Sequence, residues 1–538
     1  MSDQPMWITR LEDEESATLA ATTGPLAGLT FAIKDNIDLV GVPTTAADPR
    51  RTTPAPSSAT AVDLLLQAGA VPLGKANMDQ YATGLVGTRS PYGACHSVFS
   101  PAHISGGSSS GSAVAVASGE VDFALGTDTA GSGRVPAAFN ALVGLKPSRG
   151  LVSTTGVVPA CASLDCVSVF ARTVDVARRV LAVVGAYDDT DPFSRRLLQR
   201  PTPRRARVAI PAGDLGLDPL HAGAWEAAKQ QAATTYDVTE VDVSAFLETA
   251  ELLYGGPWVA ERALAFGAAM DDDPAVDPTV RGIVGAAARL TAQDAFAAFH
   301  QLAALDRRTQ QVWESADALL LPTTETHPTH AAVAADPVGV NSGLGRFTNM
   351  TNLLDLCAVA FPAAGRSDGL PFGVQLLAPA GGDRMLLDLA ARWLGEPEVL
   401  TAEGRTTIAV AGAHLSGQPL NADLVARGGV FLETTRTSSA YRMFLVDGPL
   451  PRPGLTKLPG SPTAGDGIEV ELWSLPDEAV AGFLATIAPP LGLGQVELAD
   501  GRWTTGFLTT ADAVDPARDI TSCGGWRGWL VQIGTVDK

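Results

Sequence analysis

The segment Ser105–Gly111 (SGGSSSG) is the most unusual stretch of this chain, and it runs directly into the apolar stretch SAVAVASG. A run of glycine and serine is often a flexible linker. This run lies between apolar segments, where glycine lets the backbone approach a ligand or adopt conformations closed to other residues. It lacks the G-K-[ST] ending of a phosphate-binding loop. The segment therefore favours a serine-bearing active-site loop.

A second loop of small residues, Gly126–Arg134 (GTDTAGSGR), directly follows the apolar, strand-like segment Val121–Leu125. A strand end that runs into a tight turn can hold a hydroxyl in the open while backbone N–H groups converge beside it. That arrangement is what an oxyanion hole requires. An ordinary tight turn with an N-cap serine is the alternative interpretation.

Lys34 lies in the apolar segment FAIKDNIDLVGVPTT, and only six of the 38 basic residues are Lys. Burial lowers the pKa of an amine, whereas Arg does not lose its proton, so Lys34 is a candidate proton acceptor. The alternative is a Lys paired with its neighbour Asp35. No His has the sequence context of a serine nucleophile's base, and a Ser/Lys arrangement fits the two serine loops better than a Ser–His–Asp triad.

The composition limits the class of function. The chain has 538 residues, a net charge of −20, 46% apolar residues and 18% charged residues, which predicts two to four domains with large cores. The negative charge disfavours nucleic-acid binding, and the absence of a long uncharged apolar run disfavours a membrane span. Five Cys without paired spacing argue against a zinc site or a disulfide scaffold and suit a reducing compartment. We expect a cytoplasmic enzyme without a metal.

The patterning predicts two domains. Up to about residue 395, strand-like runs alternate with helical ones such as NMTNLLDLCAV (349–359), which predicts an α/β domain with a mostly parallel sheet covered by helices. The polar stretch 396–405 is typical of a linker. Short β-like runs follow, with one helical segment at 477–487, and predict a smaller α+β domain. The predicted domains are 1–397, with its core at about 25–395, and 406–538.

Together, the three segments resemble the amidase signature family, whose hydrolases use a Lys, a serine in a cis peptide and a nucleophilic serine. The family's Lys matches Lys34 in AIKDNID, its first serine matches Ser108 in GGSSSGS, and its nucleophile matches Ser132 in GTDTAGS. The order of the motifs and the spacing of the two serines are also those of the family. The resemblance spans roughly residues 25–395 and implies a mixed, largely parallel central sheet.

A narrower resemblance is to the allophanate hydrolase subfamily. ANMDQYATGLVGTRSPYGAC (76–95) looks like its pocket segment. AVAGAHLSGQPLN (409–421), TSSAYR (437–442), PLGLG (490–494) and DITSCGGWRGWL (519–530) are similar to its C-terminal domain. The resemblance implies hydrolysis of the terminal amide of allophanate (urea-1-carboxylate), with release of ammonia and decarboxylation of the product.

The resemblance also implies roles for individual residues. Lys34, neutral through burial, accepts a proton from Ser108, which accepts that of the nucleophile Ser132. His414 is the candidate acid–base of the C-terminal domain, with a structural His as the alternative. The resemblance implies no cofactor, a small-molecule amide substrate and a homodimer. The other implied site residues are the oxyanion hole of Thr129, Ala130, Gly131 and Ser132, the relay support Ser109, and the substrate contacts Gly84 and Gly87.

One segment departs from the subfamily's pattern. NSGLGRFTNM (341–350) has Gly343 where an Arg that binds the substrate carboxylate is expected, and Phe347 where a Tyr is expected. Arg346 is a candidate replacement, because a guanidinium can bind a carboxylate from a neighbouring turn. If Arg346 does not bind it, a neutral amide, a biuret-like compound or a carbamate becomes the better substrate. A partner-dependent amidase-fold subunit is the remaining alternative.

Overall fold

A computed structural model describes residues 4–197, 200, 202–203, 205–396, 405–446, 452–458 and 467–534. The chain divides into two compact units, Met1–Ala21 with Ala27–Pro397, and Thr22–Leu26 with Glu398–Lys538. The predicted linker, 396–405, lies outside the described residues except at its two ends. The predicted boundaries at 397 and 406 therefore stay predictions.

The first unit is built on an eleven-stranded sheet, with strand order β1-β3-β2-β6-β8-β7-β12-β13-β11-β9-β10 among the described residues; β4 and β5 form a separate hairpin. The strands are β1 (Trp7–Arg10), β2 (Thr30–Lys34), β3 (Val71–Ala76), β4 (His96–Ser97), β5 (Ser100–Ile104), β6 (Phe123–Thr127), β7 (Val143–Lys146), β8 (Val167–Ala171), β9 (Arg207–Pro211), β10 (Asp237–Val241), β11 (Ala318–Pro322), β12 (Leu356–Pro362) and β13 (Gly373–Pro379).

The predicted class, a mixed sheet covered by helices, is confirmed, but the expectation of a largely parallel sheet is wrong. Within the described sheet, only the pairs β2–β3, β2–β6, β9–β11 and β9–β10 are parallel, and the other six are antiparallel. Antiparallel neighbours need no crossover helix. The connection Ala363–Phe372, for example, joins β12 to β13 without one.

Helices of varied length accompany the sheet. The predicted helical segment 349–359 forms only the short helix α13 and then enters β12, because an apolar run of this length fits a buried strand as well as a helix. The helices of this unit are α1 (Asp13–Leu19), α2 (Thr60–Gln67), α3 (Ser110–Ala117), α4 (Val135–Phe139), α5 (Val174–Val184), α6 (Pro219–Thr235), α7 (Ser244–Gly255), α8 (Trp258–Phe266), α9 (Pro278–Gly285), α10 (Ala292–Ser315), α11 (His330–Ala335), α12 (Gly339–Leu344), α13 (Met350–Leu353) and α14 (Asp383–Leu394).

The central strands place Lys34 and the start of the second serine loop at the same end of the sheet. β2 and β6 are parallel neighbours, so their last residues, Lys34 and Thr127, lie at the same end of the sheet. The loop after β6 leads into α4, which approaches the sheet closely. A Cβ on Gly373 would lie 2.3 Å from the Cβ of Ala138, so only glycine fits there. The fold thereby fixes the loop between β6 and α4.

The second unit contains a separate five-stranded sheet, order β15-β18-β14-β20-β19, and a β16–β17 hairpin, which confirms the predicted α+β class. Two helices, α15 and α17, accompany the predicted helix at 477–487. The elements are β14 (Arg405–Val410), α15 (Asn421–Ala426), β15 (Val430–Arg436), β16 (Tyr441–Val446), β17 (Arg452–Lys457), β18 (Glu469–Pro476), α16 (Asp477–Leu484), β19 (Leu491–Glu497), β20 (Trp503–Thr509) and α17 (Trp526–Gln532).

Candidate active site

The structure brings Lys34, Ser108 and Ser132 into one hydrogen-bonded row. The Nζ of Lys34 donates to the Oγ of Ser108 over 2.7 Å, and the Oγ of Ser108 donates to the Oγ of Ser132 over 3.0 Å. All three side chains are buried, and the peptide bond between Gly107 and Ser108 is cis. Because hydroxyl protons rotate freely, the same two distances suit proton transfer in either direction.

Burial controls the charge of Lys34. It lowers the pKa of the amine to about 7, and the negative charges of Asp79, Asp128 and Asp165 oppose a larger shift. The alternative of a Lys34–Asp35 pair does not hold in the structure. The carboxylate of Asp35 instead lies 3.4 Å from the Nζ of Lys75, an equally buried amine.

One of the four predicted oxyanion-hole residues, Gly131, has a backbone N–H that already has an acceptor in the protein. The backbone N–H of Gly131 donates to the Oδ1 of Asp128 over 2.7 Å, so it is already occupied. In the described part of the chain, no acceptor pairs with the backbone N–H of Thr129, Ala130 or Ser132. Gly131 has a φ of +137°, and a Cβ there would lie 2.4 Å from the hydroxyl of Thr348. Gly131 therefore determines the shape of the loop, and the N–H groups of Thr129, Ala130 and Ser132 remain available to bind an oxyanion.

A buried ion pair holds this loop. Asp128 accepts hydrogen bonds from the guanidinium of Arg134 at 2.9 and 3.0 Å and from the backbone N–H of Gly133 at 3.0 Å. Arg134 also donates to the side chains of Thr351 and Gln375. This pair was not predicted, although an Asp and an Arg six residues apart within a loop of small residues are a signal that the sequence offers.

Ser109 contacts the relay indirectly. Its hydroxyl donates to the backbone carbonyl of Thr127 over 3.3 Å, and among the described residues it bonds to none of the three members of the row. The side-chain hydroxyl of Thr127 accepts from Lys34 over 2.7 Å, a partner that the sequence analysis missed. Ser109 therefore supports Thr127 rather than the relay serines.

Gly84 and Gly87 pack against the first serine loop and its supports. A Cβ on Gly87 would lie 2.4 Å from the carbonyl of Gly106, and one on Gly84 would lie 2.8 Å from the carboxylate of Asp79. Asp79 accepts from the backbone N–H of Gly87 over 2.9 Å. Both glycines are thus placed beside the loop that carries Ser108, and their contact with a substrate stays a prediction.

Arg346 does not match its predicted role. Its guanidinium donates to the carbonyl of Leu215 over 2.6 Å and to the carboxylate of Glu325 over 3.3 Å, so its charge is already paired. A Cβ on Gly343 would point at Glu325, only 2.3 Å from its Oε1. Glu325 thus lies where a side chain at position 343 would begin, and Phe347 is fully buried.

A different arginine is unpaired. Arg262 on α8 is 2% exposed and donates only to the hydroxyls of Thr83, at 3.2 Å, and Tyr254, at 3.3 Å. Within the described chain, no carboxylate lies within ion-pair distance of it. Burial has the largest effect on the pKa values of Lys34 and Asp165, and the charge of Arg262 lowers both. The only signal in the sequence was the adjacent pair Glu261–Arg262 in a largely apolar, Ala-rich segment.

His414 lies in the second unit between two aromatic rings, 5.1 Å from Phe483 and 5.4 Å from Phe507. Burial lowers the pKa of its imidazole to about 4, so the ring is neutral near pH 7. The aromatic contacts fit both a structural and a catalytic His, and its role stays a prediction.

Two further features are absent from the described residues. No helix there is both long and apolar enough to cross a membrane. No group of three or more His, Cys, Asp or Glu side chains is placed to hold a metal ion in the same part of the chain.

Comparison with known families places the chain. The profile of the family described as Amidase matches residues 1–387. The chain belongs to the amidase family. A second profile, described as the allophanate hydrolase C-terminal domain, matches residues 406–531 of this amidase.

Known proteins similar to this amidase include enzymes with both parts. A urea amidolyase of Saccharomyces cerevisiae is 41% identical over 95% of the chain. The chain spans only about three tenths of that relative's length. An allophanate hydrolase structure from Kluyveromyces lactis has a TM-score of 0.69 and 36% identity, and the match covers 99% of this chain and 94% of that one. A 6-aminohexanoate cyclic dimer hydrolase matches 73% of this chain and 90% of its own at 26% identity, with a TM-score of 0.65.

Replacing Asp128 with Asn should destabilise the fold. Arg134 would remain fully buried without a carboxylate, and the amide NH2 would face the N–H donors of Gly131 or Gly133. Breaking a buried pair in this way costs about 3–5 kcal/mol. Thermal unfolding of Asp128→Asn should show a clear fall in Tm, whereas Glu248→Gln, at an exposed ion pair with Arg308, should leave Tm unchanged. Equal Tm values for both variants would contradict the proposed importance of the buried pair.

Proposed function

We propose that this amidase hydrolyses the terminal amide of allophanate and releases ammonia. The observation that carries the proposal is the row of Lys34, Ser108 and Ser132, which ends beside backbone N–H groups without acceptors. The two matched family profiles and the similarity to the K. lactis allophanate hydrolase support the substrate class.

In the first half-reaction, Ser132 is the nucleophile. Its proton passes to the Oγ of Ser108, and the proton of Ser108 passes to the neutral amine of Lys34. The Oγ of Ser132 attacks the terminal amide carbonyl of allophanate. The oxyanion that forms is stabilised by the N–H groups of Thr129, Ala130 and Ser132, which are ordered before the substrate arrives. The proton on Lys34 returns along the row to the leaving nitrogen, and ammonia departs.

In the second half-reaction, water attacks the acyl-enzyme. The same row accepts its proton and returns one to the Oγ of Ser132, which restores the free enzyme. The product, N-carboxycarbamate, takes up a proton and loses carbon dioxide to give carbamate. Carbamate takes up a second proton and breaks down to ammonia and a second carbon dioxide, so that the whole sequence yields two ammonia and two carbon dioxide. His414 is proposed to assist this loss, as a neutral ring that donates a hydrogen bond or accepts a proton. This chemistry needs no cofactor.

Arg262 is proposed to bind the substrate's carboxylate. It is buried, it has no ion-pair partner among the described residues, and its charge acts on the amine of Lys34. A buried guanidinium without a counter-ion is costly, and an anionic substrate provides one. Tyr254, whose hydroxyl accepts from Arg262, lies beside this guanidinium. This arrangement favours allophanate over a neutral amide.

The protein is further proposed to be a cytoplasmic homodimer. The five cysteines are free thiols, as in a reducing compartment. Large apolar side chains are exposed on two helices near one another, with Leu264 of α8 at 86% and Phe296 of α10 at 66% exposure. The ring of Trp258 on α8 contacts that of Phe299 on α10. A second copy of the chain would cover this apolar surface.

Light scattering during gel filtration should give twice the chain mass of 55.5 kDa. Phe296→Glu should shift the protein toward the monomer, because it places a charge on the apolar surface. A monomeric wild-type protein would overturn the proposed dimer.

The direct test of the proposed function is release of ammonia from allophanate by the purified chain. Wild-type protein should release it, and Ser132→Ala should lower kcat by about four or more orders of magnitude while leaving Tm unchanged, because the nucleophile is lost. Ser112→Ala is the matched control, since this buried serine of α3 donates to the backbone carbonyl of Leu125, which is not a member of the row. Wild-type rates in Ser132→Ala would exclude Ser132 as nucleophile.

The rate should depend on the charge of Lys34. Its pKa is lowered to about 7, and the protonated amine cannot accept the proton of Ser108. The value of kcat/KM should therefore rise with pH up to about 7 and level off above it. Lys34→Arg should be inactive at every pH, because its guanidinium stays protonated. If kcat/KM did not change with pH near 7, the result would argue against Lys34 as the proton acceptor.

Arg262→Gln should raise KM for allophanate by about 10- to 100-fold, the usual effect of losing a hydrogen bond to a charged group. It should change KM, or Ki, for biuret far less, because biuret carries an amide in place of the carboxylate. Arg346→Gln is the matched control and should change neither value, because Arg346 is paired with Glu325. An equal effect on both compounds would remove Arg262 from carboxylate binding.

A further inference from the structure

We propose that Glu261 is a positioning residue that holds Arg262 at a fixed place relative to the Ser132 loop, and so determines selectivity for anionic substrates without touching them. The inference rests on the proposed function, in which Arg262 binds the substrate's carboxylate. Its evidence is a set of hydrogen bonds that tie α8, which carries both residues, to the segment Ala160–Asp165 and through it to the catalytic loop.

The carboxylate of Glu261 accepts three hydrogen bonds from this segment. The backbone N–H and the hydroxyl of Ser163 each donate over 2.7 Å, and the thiol of Cys161 donates over 2.9 Å. Burial raises the pKa of the thiol, so the sulfur keeps its proton and remains a donor. An ionised carboxylate is an acceptor only, and it satisfies all three donors at once.

The same segment is attached to the catalytic loop at its other end. Asp165 accepts from the backbone N–H of Ala160 over 2.8 Å and from that of Cys161 over 3.1 Å. It also accepts from the hydroxyl of Thr129, one of the proposed oxyanion residues. Ala130, Cys161 and Trp258 belong to one buried apolar cluster. A continuous set of contacts therefore runs from α8 to the residues beside Ser132.

Among the described residues, Arg262 has only weaker contacts of its own, including one with the ring of Tyr254, whose centroid lies 5.4 Å from its Cζ. Its two hydrogen bonds, to the hydroxyls of Thr83 and Tyr254, are long at 3.2 and 3.3 Å, and both acceptors are neutral. The helix that carries it is short, and its N-cap, Pro257, provides no side-chain hydrogen bond. The charge-assisted bonds of Glu261, one residue earlier, are the stronger constraint on where the guanidinium stands.

Glu261→Gln is the sharpest test, because Gln keeps the volume and exposes an NH2 group to protein donors. One amide oxygen cannot accept all three bonds, so α8 should shift. A displacement of this kind near a reacting group can cost up to about 100-fold, and we expect KM for allophanate to rise about tenfold. KM or Ki for biuret should change less than about threefold, because biuret does not need the guanidinium.

The double variant separates positioning from general destabilisation. If Glu261 acts through Arg262, then Glu261→Gln should add nothing to the KM of Arg262→Gln, whereas independent effects would multiply. Ser163→Ala, which removes only the hydroxyl donor, should cause a smaller rise in the same KM and serves if Glu261→Gln fails to fold. Glu248→Gln, at the exposed pair on α7, is the matched control and should leave both substrates unchanged.

The outcomes are distinguishable. Turnover of allophanate by the wild type decides the proposed function, and its absence would overturn both proposals. With turnover present, a selective loss for allophanate that vanishes in the Arg262→Gln background supports the role of Glu261. Equal losses for allophanate and biuret, multiplicative effects in the double variant, or an unchanged KM would overturn that role and leave the proposed function intact.

Discussion

The burial of one amine is the constraint on which the site depends. Lys34 is a useful proton acceptor only because desolvation opposes its charge, and that effect survives because no carboxylate of the described residues forms an ion pair with it. Each nearby carboxylate is held by other groups. Asp79 accepts from backbone N–H groups, Asp128 pairs with Arg134, and Asp165 accepts from Thr129 and the backbone. The structure thus keeps three negative charges close to Lys34 without any of them forming an ion pair with it.

The same carboxylates organise the polypeptide around the relay. The carboxylate of Asp79 accepts from the backbone N–H of Gly87, and the backbone N–H of Asp79 donates to the carbonyl of Ser108. Asp128 accepts from Gly131 in the second serine loop, and Asp165 accepts from Ala160 in the segment 160–165. Each therefore has two effects, since it limits the fall in the pKa of Lys34 and fixes the backbone that carries a reacting group. Substitution of any of these aspartates changes geometry and electrostatics together.

The sequence was sufficient for the parts of the site that reside in local motifs. Lys34 and the two serine loops stand in runs of small or apolar residues whose composition favours an active site, and the resemblance to the amidase signature family selected Ser108 and Ser132 within the loops. The type of each element was harder to predict, because an apolar run such as 349–359 has no feature that separates a helix from a strand. Arg262 and Arg346 show the same limit for side chains. Only the fold determines which arginine forms an ion pair. Arg346 forms one with Glu325, which lies 21 residues earlier in the chain.

The parallel pairing of β2 and β6 has an evolutionary consequence. Side chains alternate between the two faces of a strand, so an insertion or deletion that slipped this register by one residue would turn Lys34 away from Ser108. Length changes between β6 and the second serine are constrained in the same way. The helices between β10 and β11 carry no member of the relay, and there insertions and deletions can accumulate. Descendants of this enzyme are therefore free to diversify in what they recognise while the proton path is inherited unchanged.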